Sequence, residues 1–360
     1  FNKRIWSIPR NMPSEDSIVS AAAMIKQSTN PVIIAGGGII YSEAEKVLNE
    51  FCNNTGIPIG ETQAGKGALP WNHSQNLGAV GVTGTSAANT ISKDADLVIC
   101  IGTRLSDFTT ASKTLFQNPD VNFLSINVSS FDAHKHSSVS LVGDAKKCLE
   151  RLNHLLKNDS FSISVKYRAE IKQHKNDWNQ EVDRIFNLDN QPTVSQGEVI
   201  GIISSCMNEN DVVVCAAGSL PGDMHKLWRS VNGDQYHMEY GYSCMGYEVA
   251  GGLGIKMAKN SGDVFVMVGD GSYLMMNSEI VTAVQENEKL IIILINNHGF
   301  GSINGLSLSL GSKGFGNQYR KREGSSSNYT GDKLPVDYAA HAKSMGIGSI
   351  TVKTKQRLEK

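Results

Sequence analysis

Short, wholly apolar runs alternate along the chain with stretches in which apolar residues recur every three or four positions, the pattern of buried parallel strands joined by surface helices. After a polar entry containing Pro9 and Pro13, Ser14 followed by Glu15 and Asp16 predicts a helix start, and Ile18, Ala22 and Ile25 give that helix one apolar face. The run from Pro31 to Ala35 reads as a buried strand that ends in Gly36, Gly37 and Gly38, with a helix from Ser42 through Val47, Leu48 and Phe51. Further strands at 57–61, 96–102 and 122–128 complete a Rossmann-like domain over residues 1–155. Residues 156–192 turn polar and predict a charged linker helix on a domain surface, carrying Tyr167, Ile171, Trp178, Val182 and Ile185. A second unit, 193–360, follows with a helix at 194–207 and strands at 211–217, 264–268 and 290–295. The expected class is α/β, two Rossmann-like domains on parallel sheets. Within the second, 311–331 reads as a mobile loop around Gly324 and the serines after it.

Composition narrows the function classes. The 360 residues carry 34 basic and 35 acidic side chains, a net charge of −1, and the basic residues are scattered. That balance gives no field to hold a polyanion, so nucleic acid is not expected as a partner. The longest aliphatic run, Leu290 to Ile295, is far short of the ~20 residues of a membrane helix, so no membrane partner is expected. Six cysteines without a CxxC pair read as free thiols, with no zinc site. With no signal-peptide pattern, they predict a cytoplasmic location. The chain opens on Phe1 and stops in what reads as a starting helix, Thr354 to Lys360, so both ends are expected to be cut ends and the second domain incomplete at its C-terminus.

Two glycine turns are candidate binding elements. Gly36, Gly37 and Gly38 lie between a strand and a helix, which leaves two readings open: a phosphate site at the helix start, or a tight turn that only glycines permit. Tyr41 stands where a dinucleotide fingerprint has its third glycine, and no acidic ribose reader follows. In the second domain, Gly269, Asp270, Gly271 and Ser272 end the strand 264–268; 24 residues run from Ser272 to Ile295, and Asn296 and Asn297 follow. The interval predicts one crossover helix, with Met276, Ile280, Ala283 and Val284 on its apolar face, and then a strand. Strand, helix and strand make a right-handed parallel unit whose carboxyl ends open on one edge, so Asp270 and Asn297 meet there. A carboxylate, an amide oxygen and the Gly299 carbonyl form a hard oxygen set suited to Mg²⁺. Magnesium shares phosphate oxygens readily, which makes a diphosphate ester its natural companion. Gly269, Gly271 and Ser272 supply close backbone approach, N–H groups and a hydroxyl.

A Gly-Asp-Gly strand end separated by some two dozen residues from paired asparagines resembles the signature of the thiamine diphosphate enzymes. Residues 240–250 resemble the family segment whose bulky apolar side chain props the cofactor in a bent shape, with Met245 at that position, and Gly218, Ser219 and Leu220 match the family's diphosphate contacts. Segments 216–228, 236–251, 269–275 and 298–301 are most similar to the branch that opens a cyclic 1,2-diketone by hydrolysis in myo-inositol breakdown. The resemblance implies the middle and diphosphate-binding domains of the family fold, with thiamine diphosphate and Mg²⁺ as cofactors. It also implies a polyhydroxy diketone substrate, trihydroxycyclohexane-1,2-dione, cleaved at a carbon–carbon bond to 5-deoxyglucuronate. His237, Glu239 and His298 lie in segments expected to face the pocket and are candidates to bind hydroxyls or move protons. In the family, the glutamate that activates the cofactor comes from a pyrimidine-binding domain ahead of the middle domain. Glu61 does not match it, so the chain alone is expected to be inactive and the complete enzyme to be at least a dimer.

Two competing functions stay open. One is an acetolactate synthase-like carboligase or 2-oxo-acid decarboxylase, a group often carrying a flavin for which the Gly36 to Tyr41 turn gives little support; the other is a non-catalytic cofactor-binding paralogue. Gly246, Ala250, Gly254 and Ala258, four residues apart, predict a smooth ridge for close packing of another helix in this chain or a partner chain.

Overall fold

A computed structural model describes residues 7–239, 241–325 and 327–359. Phe1, Tyr240, Ser326 and Lys360, on which readings above touch, lie outside them. The chain divides into two compact units, 1–183 with 229–234, and 184–228 with 235–360.

The first unit is built on a parallel sheet of six strands: β1 (Pro31–Ala35), β2 (Ile59–Glu61), β3 (Asn76–Ala79), β4 (Leu97–Ile101), β5 (Asn122–Asn127) and β6 (Val139–Val142), in the order β3-β2-β1-β4-β5-β6. β1 and β4 are buried at every position, as expected of central parallel strands covered on both faces. The helix Glu15–Gln27 starts where the sequence predicts, with the Ser14 side chain accepting from the Ser17 N–H and Ile18, Ala22 and Ile25 buried.

Within the expected linker span 156–192, the helix Val165–Phe186 lies on the first unit, and the division between the units falls after Asp183. Its Tyr167 and Ile171 join the first unit's core, and the Tyr167 hydroxyl donates to the Pro31 carbonyl at 3.2 Å. Between the two readings of Gly36 to Gly38, the structure favours the tight turn. A Cβ on Gly36 would lie 2.3 Å from the Gly102 oxygen, and one on Gly38 would lie 2.5 Å from the Gly102 Cα. Two of the N–H groups a phosphate could use are taken: Gly36 donates to Ile101 O (2.8 Å) and Gly38 to Gly102 O (3.0 Å). The first unit's own backbone fills the crevice between β1 and β4.

Glu61, at the end of β2, serves the interior. It is buried and accepts from the Gly67 N–H at 3.0 Å and the Leu69 N–H at 3.4 Å. Burial pushes its carboxyl up, with Lys66 opposing.

The second unit holds a parallel sheet of four strands, β7 (Val212–Cys215), β8 (Tyr236–Met238), β9 (Val264–Gly269) and β10 (Ile291–Ile295), ordered β10-β9-β7-β8. The single crossover helix expected after Ser272 is two helices, Asp270–Met275 and Glu279–Gln285. Met276 leaves helical geometry at φ −148°, and the Asn277 side chain bonds back to the Tyr273 carbonyl at 3.0 Å, ending the first helix. Ile280 and Ala283 are buried as expected, whereas Met276 and Val284 are exposed. The small-residue helix Tyr247–Ala258 buries Val249, Gly252 and Leu253, while a Cβ on Gly254 would meet nothing within 4 Å. The helix packs through a face offset from the predicted ridge. Among the described residues, no helix is long and apolar enough to cross a membrane. Cys52, Cys100, Cys148 and Cys215 are buried and Cys206 and Cys244 exposed, and none of them is in a disulfide among the described residues.

Candidate functional site

β7 and β9 lie side by side, with β8 beyond one and β10 beyond the other, so connections leave their carboxyl ends in opposite directions. Such a switch point opens a crevice at the strand ends. One wall is the turn after β7, where Gly218 and Ser219 are exposed and Leu220 is buried. Gly218 has φ +95°, which favours glycine, and a Cβ there would meet nothing within 4 Å. The other wall begins at Gly269, whose φ of −77° and ψ of 154° suit any residue and whose Cβ would likewise meet nothing. Neither packing nor backbone conformation in this unit requires glycine at 269. Its effect is open space over the strand end, the kind a ligand's close approach needs.

Asp270 follows, fully buried. Burial pushes its carboxyl up, and the Gly299 N–H, donating to Oδ2 at 2.9 Å, works against that. β9 and β10 pair in parallel with Ile295 opposite Gly269, which brings Asn297 to the same edge as the sequence spacing predicts. The Asn297 amide oxygen lies 2.8 Å from the Gly299 carbonyl oxygen and 3.2 Å from Asp270 Oδ1. Turned over, the amide donates to both oxygens; in the other orientation it presents a third oxygen, and a hard cation would then satisfy all three. Oxygens on adjacent corners of an octahedron at 2.0–2.1 Å from Mg²⁺ are about 2.9 Å apart, within the observed spread. Gly299 is at φ +140°, and a Cβ there would lie 2.5 Å from the Asn317 oxygen. Gly271 faces the Phe300 ring, 3.0 Å from where its Cβ would be. The loop expected to be mobile is tied in at this point, since Phe300 N–H donates to Asn317 O at 2.8 Å and Tyr319 N–H to His298 O at 2.9 Å.

Met245 is half-buried in the turn before the helix Tyr247–Ala258. His237, on β8, shares a 2.7 Å hydrogen bond between Nε2 and the Tyr247 hydroxyl, and burial lowers its pKa. The Glu239 carboxylate accepts from the Tyr242 N–H at 3.1 Å and the Cys244 N–H at 2.7 Å. Burial alone would raise its pKa; these N–H groups outweigh that and hold it below the usual range. His298 sits at φ +63° beside the metal-type oxygens, its pKa lowered first by burial and then by Lys333.

Two residues escaped the sequence reading. Glu248 is 1% exposed and accepts from the Ser272 hydroxyl at 2.7 Å and the Gly246 N–H at 3.1 Å. Its signal was available: it is the only charge between Tyr240 and Ile255. The Tyr338 hydroxyl lies 3.5 Å from Asp270 Oδ2, across a sequence gap that carries no local signal.

The family profile described as "Thiamine pyrophosphate enzyme, central domain" matches residues 18–152, and "Thiamine pyrophosphate enzyme, C-terminal TPP binding domain" matches 216–360, together well over half of the chain. The chain belongs to the thiamine pyrophosphate enzyme family. The family's central domain spans all six strands of the first sheet, and its TPP binding domain contains both walls of the crevice and the three converging oxygens. The chain is also similar to proteins named 3D-(3,5/4)-trihydroxycyclohexane-1,2-dione hydrolase. That of Clostridium botulinum (strain Alaska E43 / Type E3) is 42% identical over 382 aligned residues and that of Bacillus cereus (strain AH820) 44% over 383. Each alignment covers 100% of this chain and 59% of the relative. The chain thus spans about three fifths of the length of these relatives.

Proposed function

We propose that this chain carries the diphosphate and Mg²⁺ half of a thiamine diphosphate site. In the full-length protein, that site hydrolyses a carbon–carbon bond of trihydroxycyclohexane-1,2-dione to give 5-deoxyglucuronate. The observation that carries the first part is the convergence of the Asp270 carboxylate, the Asn297 amide and the Gly299 carbonyl, with the amide 2.8 Å from Gly299 O and 3.2 Å from Asp270 Oδ1, beside the open space over Gly218 and Gly269. The second part is supported by relatives that match the whole chain and bear that hydrolase name. The same reading makes the complete enzyme a cytoplasmic homo-oligomer of at least two subunits.

When bound, the cofactor supplies the nucleophilic carbon and the electron sink that cleavage needs. The chain's own residues place it. Asp270, Asn297 and Gly299 would hold the metal, while Gly218, Ser219 and Leu220, with Gly269, Gly271 and Ser272, would line the diphosphate. Met245 would be the apolar side chain that props the cofactor. His237, through its Tyr247 partner, and His298 are the candidates to bind substrate hydroxyls or hold a proton. The Glu239 carboxylate, already accepting two N–H groups, holds the loop that leads to Met245.

Removing the prop tests the geometry. Met245→Ala is expected to lower kcat by about 10–100-fold while thiamine diphosphate affinity changes less than about fivefold, since misplacement affects the near-attack geometry more than binding. Steady-state kinetics with a cofactor titration checks it, and an unchanged kcat contradicts the role. The reaction itself is tested by incubating the full-length protein, Mg²⁺ and thiamine diphosphate with the cyclic diketone or with pyruvate. Formation of 5-deoxyglucuronate without CO₂ is expected. Acetolactate or CO₂ from pyruvate would identify a carboligase or decarboxylase, and cofactor binding without turnover of either would indicate a non-catalytic paralogue.

A further inference from the structure

Glu248 is a buried carboxylate with no role in the chemistry above. It sits in the first turn of the helix Tyr247–Ala258, whose N-cap, Gly246, has φ +90° and no side chain to cap it. One carboxylate oxygen accepts from the Ser272 hydroxyl at 2.7 Å and the Gly246 N–H at 3.1 Å; the other lies 3.5 Å from the Ala217 N–H. The Ser272 oxygen in turn accepts from the Gly246 N–H at 2.7 Å. These three partners lie on three separate segments of the crevice. Ala217 precedes Gly218, Gly246 follows Met245, and Ser272 ends the turn that starts at Gly269. Burial pushes its carboxyl up, with the Ser272 hydroxyl opposing. A carboxyl buried in the wall of an anion site costs desolvation, which these hydrogen bonds offset while joining the segments that carry them.

We propose that Glu248 is a positioning residue for the cofactor. By accepting from the Ser272 hydroxyl and sharing the Gly246 N–H, it locks the segments carrying Gly218, Met245 and Ser272 into one arrangement. A serine hydroxyl has a single proton, so in this arrangement Ser272 does not donate its hydroxyl to the diphosphate. Its side chain acts through Glu248, which changes the role expected of it from sequence. This inference rests on the cofactor reading above.

The test is the dissociation constant of thiamine diphosphate, with Mg²⁺ saturating, on the full-length protein. Glu248→Ala is expected to weaken binding at least about tenfold, and Glu248→Gln by less than about threefold, because an amide oxygen still accepts from both Ser272 and Gly246. In the double variant Glu248→Ala with Ser272→Ala, the losses are not expected to multiply: binding stays within about twofold of Glu248→Ala alone. Losses that multiply, or a Glu248→Ala protein that binds as wild type, overturn the proposal. If Glu248→Ala does not fold, Glu248→Asp replaces it, since its shorter side chain cannot reach all three segments; affinity equal to that of Glu248→Gln then overturns the proposal. Wild-type protein that binds no thiamine diphosphate overturns the cofactor reading and this inference together. Tight wild-type binding with an indifferent Glu248 overturns this inference alone.

Discussion

Asp270→Asn in the full-length protein is expected to reduce Mg²⁺- and thiamine diphosphate-dependent turnover by about a thousandfold, from loss of metal charge stabilisation and of cofactor affinity together. The substitution preserves shape. Asn at 270 can still accept from the Gly299 N–H, so what it removes is the only formal negative charge among the three converging oxygens. A hard divalent cation held by one carboxylate, one amide oxygen and one backbone carbonyl depends on that charge. Protein stability should move the other way or not at all. Asp270 is fully buried and its carboxyl is pushed up by that burial, so a neutral side chain relieves desolvation in the metal-free protein. The diagnostic combination is a lost Mg²⁺ titration of activity with an unlowered thermal midpoint in the absence of metal. Activity within about tenfold of wild type at saturating Mg²⁺ would place the metal elsewhere.

Gly36→Ala is expected to have the largest effect on the fold. Its Cβ would lie 2.3 Å from the Gly102 oxygen, 2.7 Å from the Gly102 carbonyl carbon and 2.7 Å from the Thr103 Cβ. Two of these are backbone atoms at the end of a central strand, so no flexible side chain can yield. Separating β1 from β4 at this end would also stretch the bond from Gly36 N–H to Ile101 O. A cost of about 3–5 kcal/mol follows, within the range for overpacking a rigid interior. It would lower the first unit's thermal midpoint by roughly 6–20 °C at about 2–4 °C per kcal/mol. Calorimetry on the full-length protein checks this, and a midpoint within about 2 °C of wild type would show that the crevice is not closed by rigid backbone.

The same glycines show where sequence reading stops. Gly36 to Gly38 and Gly269 to Gly271 both follow apolar strands; the sequence left the first open between a phosphate site and a tight turn and read the second as a phosphate turn from its spacing to Asn297. The neighbouring backbone adds that Gly102 fills the first, while a Cβ on Gly269 would meet nothing within 4 Å. The central strands β1, β4 and β9 were legible because a strand buried on two faces must be apolar throughout, and β10, half-buried at the sheet edge, was legible because it is an unbroken aliphatic run. The short strands β3, β6 and β8 were not, because Asn76–Ala79, Val139–Val142 and Tyr236–Met238 are held by a partner's hydrogen bonds rather than by their own pattern. The helix Val165–Phe186 was legible as a helix, but its membership in the first unit was not, since burial of two or three side chains leaves little periodic signal.

By itself, then, the sequence determined the α/β class, the Gly269 to Ser272 turn and the meeting of Asp270 with Asn297. Those follow from covalent spacing and from the fixed hand of a parallel crossover. Tertiary structure alone decided which glycine turn stays open, how closely the Asp270, Asn297 and Gly299 oxygens approach, and that Glu248 accepts from the Ser272 hydroxyl. Those depend on atoms brought together from distant parts of the chain, and the free energy of a buried polar group is set by its neighbours in space rather than its neighbours in sequence.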